Sequence, residues 1–127
     1  MYIRTKDGVY EVLSEYDEPE NTTLISNPVR AFDVKVTPRT FEGASIRIIY
    51  GSQIINQADT IEELCDEFVV IRYSTKINQL VRTDNINYLK EIMKEDKRIV
   101  EVKGAVWTEK GLIFVARVND KGEWELI

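Results

Sequence analysis

The chain has 127 residues, 43% of them hydrophobic and 31% charged, which is the composition of a single globular domain. It contains no histidine, so Ser-His and Cys-His nucleophile pairs and His-ligated metal sites are excluded. The net charge of −5 argues against general attraction to nucleic acid, although a local basic strip could still bind it.

Nothing in the composition indicates a membrane or secreted protein. No apolar run approaches the roughly 18 residues that a transmembrane helix needs, and the first ten residues lack the apolar core of a signal peptide. The single cysteine, Cys65, excludes an internal disulfide and fits a reducing compartment. We therefore expect a cytoplasmic protein without a cofactor, in which any catalysis would depend on carboxylates, lysines or tyrosines.

Both ends of the chain predict β-hairpins, because short alternating segments flank turns that contain glycine. In the first turn, we expect Gly8 to adopt the left-handed conformation. In the C-terminal segments, we expect the apolar side chains of Trp107 and Phe114 to belong to the core. The predicted strands are 2–5 and 9–13 at the N-terminus, and 99–108, 112–118 and 123–127 in a C-terminal antiparallel meander.

The middle of the chain gives weaker signals. Residues 14–43 contain all three prolines and begin with an acidic run, so we interpret this segment as loop-rich. Within it, Phe32, Val34 and Val36 alternate with polar residues and predict one short strand at a sheet edge. Further strands are predicted over 45–50 and 69–73, and the segment 74–82 stays ambiguous.

The most specific local pattern lies within residues 58–71. Thr60 and Glu63 have the spacing of a helix capping box, and apolar side chains follow with helical spacing. We therefore predict a first short helix with Ile61, Leu64, Cys65 and Phe68 facing the core. On the other side of this helix lies a candidate partner-binding face formed by Glu62, Glu63, Asp66 and Glu67. A solvated surface and a Mg²⁺ or Ca²⁺ site are the alternatives, but these carboxylates fan apart around a helix, so we predict no metal site.

A second helix is predicted over residues 85–95, because Asp84 can cap it and its apolar residues recur with helical spacing. Its basic strip consists of Lys90, Lys94, Lys97 and Arg98. These cations can be a solvated end of the helix, where its dipole favours positive charge. Alternatively they contact a nucleic-acid backbone, or they meet the acidic face of the first helix within the fold or across a homodimer interface.

These elements predict one α+β domain over residues 1–127. Its core structure would be a mostly antiparallel β-sheet with hairpins at both ends and two short covering helices.

Three segments resemble a known family. They read YIRTKDGVY over 2–10, ADTIEELCDEFVVI over 58–71 and GAVWTEKGLIFVA over 104–116. They are similar to the small proteins named after open reading frame 50 of the Panton-Valentine leukocidin phages, which occur in temperate phages and prophages of staphylococci and related bacteria. The resemblance covers essentially the whole chain. It implies a phage-encoded protein made inside the host cell, and it implies no catalytic or ligand-binding residues.

From this we expect a non-enzymatic accessory protein that binds an unidentified host or phage protein. The alternatives are a nucleic-acid-binding protein that uses the basic strip and a carboxylate-dependent, metal-assisted enzyme.

Overall fold

The computed structural model describes residues 1–19, 28–37, 46–73, 78–95 and 98–127. Within them the chain forms two five-stranded sheets and one α-helix, and every strand pairing is antiparallel. The first sheet has the strand order β4-β3-β2-β1-β5, and the second has the order β10-β9-β8-β6-β7. The elements are β1 (Tyr2–Thr5), β2 (Gly8–Pro19), β3 (Pro28–Lys35), β4 (Ile46–Tyr50), β5 (Asn56–Ala58), β6 (Glu67–Arg72), β7 (Gln79–Thr83), α1 (Ile86–Glu95), β8 (Ile99–Thr108), β9 (Gly111–Val118) and β10 (Trp124–Leu126).

The predicted antiparallel strands with a hairpin at each end are confirmed, but they form two sheets where one was predicted. The second predicted helix is confirmed over Ile86–Glu95, with Asn85 as its cap in place of Asp84, because the Asn85 side chain accepts the N–H groups of Asn87 and Tyr88. The first predicted helix is wrong. A single 3-10 turn spans Glu62–Leu64, and β6 begins at Glu67 as an inner strand between β7 and β8. Three of the four residues expected on the helix stripe, Ile61, Leu64 and Phe68, are buried nonetheless, and Cys65 is partly buried. Pairing on both sides of β6 outweighs the helical spacing of its sequence.

The loop-rich interpretation of 14–43 is wrong for residues 14–19 and 28–31, which are strand, whereas the short strand predicted around Phe32 and Val34 is confirmed as part of β3. β2 continues to Pro19, and β3 begins at Pro28 directly opposite. β3 lies between β2 and β4, so the predicted edge position is also wrong. Both prolines occupy strand ends, where a missing backbone N–H does little harm. Residues 20–27 and 38–45 lie outside the described residues, as does the 74–77 part of the ambiguous segment, whose remainder leads into β7.

The two predicted hairpin turns differ in backbone conformation. Gly111 has φ 102°, which is the left-handed region, but Gly8 does not share this conformation and simply begins β2. The prediction for Gly8 is therefore wrong.

The second sheet has one covered face and one open face. The covered face packs against β1, β2 and the 3-10 turn at one end, through a cluster that includes Val9, Leu64 and Val106. At the other end it packs against α1, where Leu89 contacts the cluster around Phe68. A separate cluster lies on the opposite side of the first sheet and contains Ile3, Tyr10, Phe32, Val34 and Ile49. In the described part of the chain, no helix is long and apolar enough to cross a membrane.

Candidate binding surface

The carboxylates of the predicted acidic face do not form a single surface. Glu62 and Glu63 lie in the 3-10 turn, where Glu63 is exposed. Asp66 follows the turn and forms an ion pair with Arg4, whereas Glu67 opens β6 and pairs with an arginine of β7. Two of the carboxylates are thus neutralised within the molecule, and the helix that would have grouped all of them is absent. Their role in partner binding stays a prediction.

The basic strip is only partly described. Lys90 and Lys94 are exposed on α1, but the exposed side chains of Glu91 and Glu95 alternate with them. Arg98 is exposed just before β8, and Lys97 lies outside the described residues. The described helix surface therefore has mixed charge. Because the first predicted helix does not form, the two helix faces of the alternative proposal do not meet within the described fold, and contact across a homodimer interface stays a prediction.

The open face of the second sheet has the features of a binding surface. The strand register places Leu80 and Arg82 of β7 on it, together with Lys103 and Trp107 of β8 and Phe114 of β9. Leu80 is 66% exposed, Trp107 51% and Phe114 41%. Trp107 and Phe114 are diagonal neighbours on adjacent strands, since Ala105 pairs with Phe114 and Trp107 with Leu112. Such neighbours lie about 7–8 Å apart, close enough for one partner to contact both rings.

The prediction that Trp107 and Phe114 belong to the core is wrong, and the register explains why. Side chains alternate along a strand, so the buried Val106 directs Trp107 to the opposite face. In β9, the register shifts by one residue opposite the Gly104/Ala105 step, which leaves Phe114 on the open face while Val115 is buried. The sequence did contain a signal for the position of Trp107. Trp107 is four residues after Lys103 on β8, so the two side chains lie on the same face, and a lysine indicates the face toward solvent.

Charges on the open face are balanced by ion pairs. Lys103 Nζ lies 3.2 Å from Glu101, and Arg117 Nε donates to Glu125 at 2.7 Å. Arg82 pairs with the carboxylate of Glu67, as noted above. Two of these cations also lie over the aromatic rings. The Arg82 guanidinium is 5.8 Å from the centre of the Trp107 ring, and Lys103 Nζ is 5.1 Å from that of Phe114. The face therefore combines exposed aromatic rings with charges that compensate one another.

An ion pair between the two sheets fixes the backbone of Trp107. Arg4 Nη2 lies 3.0 Å from Asp66 Oδ2 and donates to the carbonyl oxygen of Trp107 at 2.9 Å. The backbone N–H of Trp107 donates to Asp66 Oδ2 at 2.7 Å. Arg4 Nη1 also donates to Asp66 Oδ1 at 3.1 Å and to the carbonyl of Leu64 at 3.3 Å. We call this arrangement the Arg4–Asp66 clamp. It holds both backbone groups of the exposed tryptophan.

The clamp also controls the protonation of its carboxylate. Partial burial acts to raise the pKa of Asp66, but the hydrogen bonds from Arg4 and from the Trp107 N–H, with the charge of Arg4, lower it below its ordinary value. The carboxylate consequently stays ionised to lower pH than a free aspartate.

Cys65 has the environment of a structural thiol. Burial, with the nearby charges of Asp66 and Glu62, raises its pKa to about 12, so the nucleophilic thiolate is scarcely populated at neutral pH. Within the described part of the chain, no group of three or more cysteine and carboxylate side chains could hold a metal ion. No protein-family model, curated protein or solved structure matches this chain.

Proposed function

We propose that this chain is a non-enzymatic protein-binding module and that the open face of the second sheet is its binding surface. The observation that carries the proposal is Trp107, a half-exposed tryptophan on an inner strand whose backbone N–H and C=O are both held by the Arg4–Asp66 clamp. Tryptophan and arginine dominate the energetics of protein interfaces. The clamp orders the backbone that carries this side chain, and the Arg82 guanidinium lies over its ring, so less freedom is lost on binding.

The charge of the open face favours a protein partner over nucleic acid. Binding to a phosphate backbone requires cations that are not already neutralised, and single strands are bound in positively charged grooves. Here Arg82, Lys103 and Arg117 are each paired with a carboxylate. An aromatic centre surrounded by compensated charges instead matches the apolar core and polar rim of a protein interface.

The resemblance to a phage family supports a more specific version of the proposal. In this version the chain is a phage-encoded accessory protein that acts in the cytoplasm of a bacterial host and binds a host or phage protein there.

A comparison of surface variants tests the proposal. Trp107→Thr and Phe114→Thr remove the rings and keep residues that suit strands. Tyr88→Ala serves as the matched control, because Tyr88 is a 45% exposed aromatic on α1, away from the open face. Each tagged protein is used to capture partners from a staphylococcal lysate, followed by mass spectrometry. We expect a partner that the wild-type protein and the control bind and that the two threonine variants lose.

The alternatives have their own variants in the same experiment. Loss of the partner in Glu62→Lys/Glu63→Lys, with retention in Trp107→Thr, would assign binding to the 3-10 turn and refute the proposal. A salt-dependent shift with single-stranded oligonucleotides that Lys90→Glu/Lys94→Glu abolishes would assign a nucleic-acid function to α1. An oligonucleotide shift abolished by Trp107→Thr would show base stacking on the open face and would also refute a protein partner.

A further inference from the structure

A second interaction site lies at the edge of the first sheet that β4 forms. Among the described residues, β4 pairs with β3 alone. The strand register shows which backbone groups of β4 are directed away from β3. Val12 of β2 donates its N–H to the carbonyl of Met1, so its backbone groups are directed at β1. Its partner Val34 on β3 is therefore not hydrogen-bonded to β2 at this pair and directs its own groups at β4.

Alternation along the ladder then determines the direction of every residue of β4. Val34 pairs with Arg47, so Arg47 and Ile49, two residues further on, direct their N–H and C=O groups at β3. The remaining residues of the strand direct theirs outward. These are Ile46, Ile48 and Tyr50. We call this row of outward-directed residues the β4 edge.

The β4 edge also carries exposed apolar side chains. Ile46 is 51% exposed, Ile48 46% and Tyr50 40%, and alternation places all three on one face of the sheet. Native proteins commonly protect sheet edges with charged side chains or proline, and an unprotected apolar edge tends to pair with another strand. The β4 edge has neither protection. One of its backbone groups has a partner within the chain, because the Tyr50 N–H donates to the Gln53 side chain at 3.0 Å.

Pairing of this edge with itself has one favourable register. Antiparallel pairing about a twofold axis at Ile48 places Ile48 opposite the same residue of a second copy, and Ile46 opposite Tyr50. Pairs of β-branched and aromatic side chains stabilise antiparallel ladders. On the other face of the strand, Arg47 then lies opposite Ile49 and keeps its ion pair with Asp7.

The two neighbouring registers are disfavoured. An axis at Arg47 would place two arginines directly opposite each other, which is destabilising. An axis at Ile49 would need the Tyr50 N–H for the ladder, and Gln53 already accepts it. Charge and hydrogen bonding therefore select the register centred on Ile48.

We propose that the β4 edge binds a second copy of this chain by antiparallel strand pairing about a twofold axis at Ile48. Each copy donates from the N–H groups of Ile46 and Ile48 and accepts at the carbonyls of Tyr50 and Ile48. The first sheets of the two copies join into one continuous sheet, and both second sheets lie on the same side of it. This site is separate from the open face and does not depend on the proposed function of that face.

The contact is small, so the dimer is weak. β4 has five residues, and interfaces that bury less than about 1,000 Å² belong to weak or transient associations. We expect a dissociation constant of the order of 0.1 mM, measured by sedimentation equilibrium on the full chain at about 10 μM to 1 mM.

Amide hydrogen exchange followed by NMR locates the contact in the wild-type protein. As the protein concentration rises, the amide protons of Ile46 and Ile48 should gain protection. Those of Arg47 and Ile49, already directed at β3, should stay unchanged, as should that of Tyr50, which Gln53 holds.

Charge variants at the axis test the register. Ile48→Lys and Ile48→Glu each place like charges directly opposite each other, so each should weaken self-association about tenfold or more. An equimolar mixture of the two variants should restore the dimer, because lysine then lies opposite glutamate. Ile55→Lys is the matched control, since Ile55 is 65% exposed and lies outside β4, and it should dimerise like the wild type. Trp107→Thr should also dimerise normally.

Three results would overturn the inference. The first is a wild-type chain that stays monomeric at about 1 mM. The second is a dimer in which Ile46 and Ile48 gain no protection, because another surface would then form the contact. The third is a mixture of folded Ile48→Lys and Ile48→Glu chains that does not associate, because residue 48 would then not lie opposite itself.

Discussion

The Arg4–Asp66 clamp should contribute strongly to stability, and replacing Arg4 by methionine tests this. The Arg4 side chain is only 11% exposed and reaches carbonyl groups of Thr5, Leu64 and Trp107 as well as the Asp66 carboxylate. Methionine keeps much of the apolar length of the stem, so the change removes mainly the charged hydrogen bonds.

The magnitude follows from the exposure of the two partners. A hydrogen bond to a charged group contributes about 1.5–3 kcal/mol, and breaking a buried ion pair by removing one partner costs about 3–5 kcal/mol. Asp66 is 36% exposed, so water can partly solvate its carboxylate after the change. We therefore expect Arg4→Met to lower the free energy of unfolding by about 2–4 kcal/mol.

Urea denaturation measures this effect, with tryptophan fluorescence as the signal. Arg117→Met is the control, since the Arg117–Glu125 pair lies on the surface and should contribute little. The double variant Arg4→Met/Asp66→Asn should lose less than the sum of the single changes, because both single changes break the same contacts. A loss below about 1 kcal/mol for Arg4→Met, or additive single changes, would refute the account of the clamp.

Three further predictions concern the neighbourhood of the clamp. A Cβ at Gly104 would lie 2.6 Å from the Cys65 sulfur, so Gly104→Ala should lower the free energy of unfolding by about 1–3 kcal/mol. Adding Cys65→Ala should relieve part of that loss, and additive losses in urea denaturation would contradict this. The Thr60 hydroxyl is buried without a hydrogen-bond partner, so Thr60→Val should leave the protein equally stable or make it more stable. A lower melting temperature of this variant would show that the hydroxyl is needed. The pKa of Asp66 is lowered in the folded chain, so its contribution to stability is complete above its ordinary pKa of 3.8 and is lost as the pH falls toward the folded value. Asp66→Asn should therefore make the loss of stability on acidification below about pH 4 shallower, and an unchanged slope would count against the assignment.

Local sequence signals were sufficient for the ends of the chain. Alternating residues around glycine-containing turns predicted both hairpins, because turn geometry and side-chain alternation are properties of a few neighbouring residues. The identity of the core residues around position 61 was also predictable, since Leu64 and Phe68 are buried as expected. Apolar character favours burial of these residues whether they belong to a turn, a helix or a strand.

Local signals failed where strand pairing across long sequence separations decided the outcome. Residues 60–68 have helical spacing, yet Glu67 begins β6 because β6 pairs with β7 and β8 on its two sides. Likewise β2 continues to Pro19 because β3 pairs with it from Val12 to Pro19. Neither partner strand can be identified from the segment itself.

The composition of the open face was decided by the tertiary structure as well. Sequence hydrophobicity assigned Trp107 and Phe114 to the core, because it carries no information about which face of a strand is covered. Among the described residues, α1, β1 and β2 pack on one side of the second sheet, and Leu80, Trp107 and Phe114 are exposed on the other. A one-residue irregularity in the β8–β9 pairing then directs Phe114 to that side. The sequence by itself determined which residues are apolar and where the hairpins form, and the pairing of distant strands determined which apolar residues remain available for a partner.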